Sequence, residues 1–152
     1  MAEQNINRQG TAKKAVEMLV EKNEGFKEPT KTERLNIIIA FAKKNKVIYG
    51  KAFDIIKIEG EKFNLEDLSE LEENIERLTI YEVKSTAKKD IKEYFEKYFF
   101  GLTTAELLVA QNLKKYFKFI FVNTLTGETM ELTLKQIFEK AKGIYPVWSI
   151  QF

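Results

Sequence analysis

The chain contains no cysteine and no histidine among its 152 residues. Without cysteine, disulfide bonds, thiolate zinc sites and cysteine nucleophiles are excluded. Without histidine, Ser-His-Asp hydrolases, histidine-dependent metal nucleases and any histidine general base are excluded. Carboxylate, lysine and tyrosine side chains therefore remain for catalysis, together with a hard metal ion held by oxygen ligands, such as Mg²⁺, Mn²⁺ or Ca²⁺.

Proline and glycine are also scarce, with 2 and 7 residues, so a long disordered linker is not expected. We expect one domain over residues 1–152, a length that suffices to bury a core. No stretch reaches about 18 consecutive apolar residues. The first ten residues, MAEQNINRQG, lack the apolar core of a signal peptide. These absences predict a cytoplasmic protein without a membrane partner.

The charge distribution says more than the net charge, which is only +2 and does not by itself indicate a nucleic-acid-binding protein. Acidic residues concentrate between Glu59 and Glu76, whereas lysines cluster within residues 84–97 and 114–118. The chain therefore has an acidic side and a basic side.

Hydrophobic periodicity predicts helices and strands in mixed order. Helices are predicted over residues 11–22, about 29–44, part of 65–78, 87–100, 103–116 and 133–142, and strands over 53–58, 78–84, 118–123 and 129–132. An extended segment follows, which Pro146 keeps out of the centre of a sheet. Strands with helices before and after them predict an α/β (α+β) fold with a mixed sheet flanked by helices.

Two of the predicted strands carry charged residues at their ends. Glu82 and Lys84 follow an apolar run and share one face of a strand, about 6.5–7 Å apart at Cα. The earlier run, residues 53–58, carries Asp54 near its start. If the two strands pair, two carboxylates and an ammonium meet at one sheet edge. That set suits a divalent metal and the hydrolysis of a phosphodiester.

An Asp at the head of one strand and Glu-x-Lys on the next resembles the PD-(D/E)xK nuclease superfamily of restriction enzymes and recombination nucleases. The resemblance is close over residues 49–86, where the two acids are 82 − 54 = 28 positions apart. Outside this range only the order of helices and strands is similar. Phe53 stands where the family name has proline. The resemblance implies a restriction-endonuclease-like core, in which helices cover both faces of a mixed sheet. It divides the chain into N-terminal helices (1–45), metal-site strands with a short insertion (49–86), and further helices, strands and a tail (87–152).

The resemblance also implies roles for individual residues. Asp54 and Glu82 would bind Mg²⁺ or Mn²⁺, with the backbone carbonyl of Val83 as a further ligand. Lys84 would complete the catalytic set beside the attacking water, where it orients the water, helps to deprotonate it or stabilises developing charge. Two accessory candidates lie on the flanking predicted helices, Glu33 and Gln111.

Several of these residues have a structural alternative. Glu82 and Lys84 would form an ordinary ion pair on one face at a sheet edge. Glu33 would be a first-turn acid favoured by the helix dipole. Glu106 fits the N3 position of a capping box that begins at Thr103, and we therefore assign it to the cap rather than to the site.

Several residues close to the motif are candidates for contact with DNA phosphates: Lys51, Ser85, Thr86, Lys88, Lys89 and Lys92. The alternatives are a solvated lysine face and, for Ser85 and Thr86, a helix cap.

The sequence thus predicts a divalent-metal-dependent endonuclease that hydrolyses DNA, of the restriction type and acting as a homodimer. One alternative is a junction-resolving or repair nuclease of the same fold. Others are a non-catalytic nucleic-acid-binding or assembly module, and an interaction domain in which the motif is a coincidence.

Overall fold

The computed structural model describes residues 2–49 and 52–152, with side chains from Gln9 onward. Within these residues five helices and five strands alternate in an irregular order: α1 Ala2–Glu21, β1 Phe26–Lys27, α2 Lys31–Lys43, β2 Ile55–Ile58, α3 Leu68–Glu73, β3 Leu78–Thr86, α4 Thr104–Leu113, β4 Phe117–Asn123, β5 Thr129–Leu132 and α5 Leu134–Lys140. Single 3₁₀ turns lie at Ile75–Arg77, Glu93–Phe95 and Lys114–Tyr116.

The five described strands form one mixed sheet in the order β1-β2-β3-β4-β5. β2 is antiparallel to both of its neighbours, β1 and β3, whereas β4 is parallel to β3 and β5 is antiparallel to β4. A parallel pair requires a crossover connection, and here the crossover contains α4. The predicted α+β class with a mixed sheet is confirmed.

The helices pack on both faces of the sheet, as predicted. Ile80 of β3 and Phe119 of β4 belong to the larger apolar cluster, which residues of α2 and α4 complete. Tyr81 and Val83 of β3 point to the opposite face and join a smaller cluster with Leu19 of α1. Because side chains alternate along a strand, Glu82 and Lys84 emerge on the same face as Ile80, below α4.

Three helices, α2, α4 and α5, begin with a capping box. Thr30, Thr103 and Thr133 are N-caps whose side chains accept a hydrogen bond from the N3 backbone N–H of α2, α4 and α5. Each N3 side chain returns a hydrogen bond to the cap residue and completes a capping box: Glu33, Glu106 and Gln136.

The helix predicted over residues 87–100 is wrong. β3 continues to Thr86, and the segment that follows is irregular, with left-handed φ angles at Tyr94, Phe95 and Lys97. The rings of Phe95, Tyr98 and Phe100 all contact the ring of Phe121. Positions 95 and 100 would lie about 140° apart around a helix, so a helix could not bring all three rings to one partner.

The remaining differences are smaller. α1 begins at Ala2, so that Thr11 lies inside the helix and not at its start. β1 is only two residues long and was not predicted. The final segment lies outside the sheet, where the prediction only kept it from the centre, and it exposes most of its apolar side chains. Among the described residues, no helix combines the length and the apolar character needed to cross a membrane.

Candidate active site

The site lies where β3 extends beyond the end of β2. The paired positions of the two strands end at Ile55 and Tyr81, and the N–H of Asp54 donates to the carbonyl of Tyr81 at 2.8 Å. One further step in this register places Asp54 opposite Glu82. The Asp54 carboxylate accepts a hydrogen bond from the N–H of Val83 at 2.8 Å and interacts directly with the Glu82 carboxyl. The structure thus brings together the two acids predicted to share a site.

Lys84 joins the same group, but its main partner is a residue of α4. Its Nζ lies 3.0 and 2.9 Å from Oε1 and Oε2 of Glu106, and 3.6 Å from Oε1 of Glu82. The side chains of Lys84, Glu82 and Glu106 are only 14%, 13% and 8% exposed. The cluster therefore contains three largely buried carboxyls, those of Asp54, Glu82 and Glu106, and one ammonium.

The backbone of Val83 faces the same place. The N–H and C=O of a strand residue point to the same side, and the N–H of Val83 is aimed at Asp54. The carbonyl of Val83 is therefore directed to the side of Asp54, beyond the end of β2.

The electrostatics of the cluster are dominated by burial and by repulsion between carboxyls. Burial, followed by the charges of Asp54 and Glu106, raises the pKa of Glu82 to about 9. Burial also raises the pKa of Asp54, opposed by the N–H of Val83, the hydrogen bond from Glu82 and the charges of Lys84 and Arg34. In the metal-free protein both shifts favour the protonated form of the Asp54–Glu82 pair.

This donor set fits a hard divalent cation. Within the described part of the chain no three Asp, Glu, His or Cys side chains form a ready metal cluster. However, Mg²⁺ is commonly bound through one or two carboxylates, with waters and substrate oxygens completing its shell. Asp54, Glu82 and the Val83 carbonyl supply only oxygen atoms. A cation there would also relieve the repulsion that raises the pKa of Glu82.

Glu106 was assigned to the helix cap alone, and the structure shows it in two roles. Its Oε2 accepts a hydrogen bond from the N–H of Thr103 at 3.1 Å, as the capping box requires, while both carboxylate oxygens bind Lys84. Local spacing indicates only the cap. The second role depends on where the crossover places the first turn of α4.

Arg34 is a second residue that the sequence did not indicate. Its guanidinium donates to the carbonyl of Phe53 at 2.7 Å, approaches that of Asp54 at 3.5 Å, and lies 4.2 Å from the centre of the Phe53 ring. These contacts tie α2 to the backbone just before β2 and so hold Asp54 in place.

The structure does not bring the two accessory candidates into the described cluster. The Glu33 carboxylate is bound by Lys27 and by the N–H of Thr30. The structure therefore agrees with the alternative in which Glu33 is an acid of the first helical turn. Gln111 is exposed on α4, about 140° around the helix from Glu106.

The candidate phosphate contacts lie in different environments. Lys88, Lys89 and Lys92 are exposed on the irregular segment after β3, and Ser85 is half-buried. Thr86 is buried, and its hydroxyl accepts a hydrogen bond from the N–H of Lys88 at 3.3 Å. Lys51 lies outside the described residues.

Comparisons of the chain with protein-family models, with curated proteins and with solved structures give no match. The fold and the cluster together define an α+β protein that carries a buried carboxylate–lysine group at the end of a strand pair.

Proposed function

We propose that this protein is a divalent-metal-dependent endonuclease that hydrolyses DNA phosphodiester bonds, of the restriction type and with the restriction-endonuclease-like core. One observation carries the proposal: Asp54, Glu82 and Lys84 meet on one face of the sheet where β2 ends. Glu82 and Lys84 would lie on one face of β3 in any case, so the informative contact is that of Asp54, which directly precedes β2 and reaches Glu82. The mixed sheet, with helices on both faces, supports the same proposal.

Asp54, Glu82 and the Val83 carbonyl would hold Mg²⁺ or Mn²⁺. When bound, the metal neutralises phosphate charge and lowers the pKa of the attacking water. Hydrolysis forms one bond from phosphorus to the water oxygen and breaks one to the leaving sugar oxygen. The Lys84 ammonium lies beside Glu82. From there it would donate a hydrogen bond to a phosphate oxygen and stabilise the charge that develops on it. The Val83 N–H keeps the Asp54 carboxylate in its orientation.

DNA is the proposed substrate, and a homodimer would place one site on each strand. The exposed Lys88, Lys89 and Lys92 lie on the segment that follows β3 directly and are suited to contact the phosphate backbone.

The test is cleavage of supercoiled plasmid, single-stranded DNA, four-way junctions and RNA, with Mg²⁺ and with EDTA. We expect Asp54→Ala, Glu82→Ala and Lys84→Ala each to reduce plasmid cleavage by at least about 10²-fold, because each removes part of the catalytic set. Lys135→Ala, at an exposed lysine on α5, is the matched control and should cleave like the wild type. Wild-type activity in any of the three site variants would refute the assignment.

The same panel separates the alternatives. Preferential cleavage of four-way junctions would indicate a junction-resolving enzyme. DNA binding without cleavage, and without Mn²⁺ binding that depends on Asp54 and Glu82, would indicate a non-catalytic module.

A further inference from the structure

Lys84 is held at the cluster by α4 rather than by its own strand. Both oxygens of Glu106 bind its Nζ, at 3.0 and 2.9 Å, whereas Glu82 on the same strand is 3.6 Å away. A lysine side chain has many rotamers and loses considerable entropy when it is held in one position. A two-point contact with a buried carboxylate restricts the ammonium to a small volume beside Glu82.

Glu106 is itself held rigidly. Its backbone N–H donates to Oγ1 of Thr103 at 3.1 Å, and its Oε2 accepts from the N–H of Thr103 at the same distance. The carboxylate is thus fixed to the first turn of α4, and the crossover between the parallel strands determines where the Lys84 ammonium lies.

We propose that Glu106 is a positioning residue for the hydrolysis proposed above, and that it acts by holding the Lys84 ammonium beside Glu82. The inference rests on the proposed function. It adds a residue of the crossover helix α4 to the site, and it gives Glu106 a second role besides its part in the capping box.

The chain itself supplies the variant that separates the two roles. α5 has the same capping box as α4, but with Gln136 at the N3 position in place of glutamate. Glu106→Gln should therefore keep the cap of α4 while removing the charge that binds Lys84. We expect kcat for plasmid cleavage to fall by roughly 10–100-fold with KM changed less than about threefold, as is usual when a supporting group of a site is lost.

Thr103→Ala is the complementary control. It removes the hydroxyl that accepts from the N–H of Glu106, but it keeps the backbone N–H of residue 103 that donates to Oε2 and fixes the carboxylate beside Lys84. We expect a lower melting temperature with kcat within about twofold of the wild type at temperatures where the protein is folded. A wild-type kcat in Glu106→Gln, or an equal loss in Thr103→Ala, would overturn the positioning role.

Failure of this inference is distinguishable from failure of the proposed function. If the wild type cleaves none of the substrates, the proposed function fails, and the positioning role fails with it. If Asp54→Ala and Lys84→Ala abolish cleavage and Glu106→Gln does not reduce it, only this inference fails. Should Glu106→Gln not fold, Glu106→Asp keeps the charge but shortens the side chain. It should then lose kcat by at least about fivefold, and an unchanged kcat would overturn the proposal.

Discussion

The carboxyls of Glu82 and Asp54 lie together in a largely buried place. The nearby charge of Lys84 does not offset the cost of burial and the repulsion between the carboxyls. Burial and the neighbouring acids raise the pKa of Glu82 from 4.5 to about 9, so folding favours its protonated form. In the pH range between these two values, the folded protein binds more protons than the unfolded chain. The free energy of unfolding must therefore decrease as the pH rises through this range.

We predict that the melting temperature of the metal-free protein in EDTA falls by on the order of 5 °C or more between pH 5 and pH 9. Glu82→Gln should flatten this dependence, because the amide is neutral at every pH. Glu73→Gln, at an exposed acid on α3, should leave the slope unchanged. Differential scanning calorimetry measures all three curves. An equal slope in the wild type and in Glu82→Gln would contradict the prediction.

For single residues of the site, the sequence predicts the positions that a strand pattern determines. It does not predict the positions that depend on how separate helices and strands pack together. Glu82 and Lys84 lie two residues apart on one strand, so their common face follows from the pleat. Asp54 needs only the pairing of two neighbouring strands. Glu106 comes from a helix 22 residues beyond Lys84. Its local pattern is fully explained by the cap, so nothing in the spacing indicates its second contact.

At the scale of elements, the site arises from a difference in strand length. β2 has 4 residues and β3 has 9, so β3 continues alone on the β2 side after Tyr81. On its other side the parallel partner β4 remains paired as far as Asn123. The backbone of Val83 is thereby free to bind the Asp54 side chain, and the end of the shorter strand becomes the place where charged side chains meet.

The irregular segment after β3 is held by an aromatic cluster in which Phe95 is the most buried ring of the segment. Phe95 is 4% exposed and packs against Tyr98 and Phe121, whereas Phe99 on the same segment is 78% exposed. We predict that Phe95→Ala lowers the free energy of unfolding by about 3–5 kcal/mol, because it opens a cavity beside β4. Phe99→Ala is the matched control and should change it by less than about 0.5 kcal/mol.

Urea denaturation at constant pH gives both values. If the two substitutions were equally costly, the segment would not be anchored by Phe95. If both were neutral, it would contribute nothing to the core.

The mispredicted helix belongs to this same segment. Residues 87–100 have apolar residues at helical spacing, and that periodicity is the main basis for predicting a helix. Tertiary contacts favour an irregular backbone instead of a helix, because three aromatic rings of this segment contact the single ring of Phe121. By contrast, β5 has its predicted bounds of 129–132, and α2 and α5 begin within about two residues of their predicted starts, because turns and helix starts depend on local sequence.

At the scale of the whole molecule, the sheet divides the apolar residues into two clusters. The larger one lies under α2 and α4, and the smaller one under α1. The acidic side expected from the sequence lies on the α3 region, where Glu72 and Glu76 pair with Lys43, Lys44 and Lys115. The charges of Glu72 and Glu76 are therefore balanced by lysines from elsewhere in the fold.

The final segment contributes little to either cluster. The described core ends at Ile137 of α5, whereas Val147, Trp148 and Ile150 are at least 80% exposed. An exposed apolar stretch of this kind is typical of an interaction surface. Removing residues 146–152 should therefore change association between molecules more than it changes folding.

We predict that the chain shortened to residues 1–145 unfolds with a free energy within about 0.5 kcal/mol of the full chain, because the removed side chains bury little surface. Ile137→Ala is the control from the same end of the molecule and should cost about 2–5 kcal/mol. Analytical ultracentrifugation of the shortened and full chains should show less self-association without the segment. A large loss of stability on shortening would mean that residues 146–152 pack against the fold. Unchanged self-association would place any contact between two copies elsewhere on the surface.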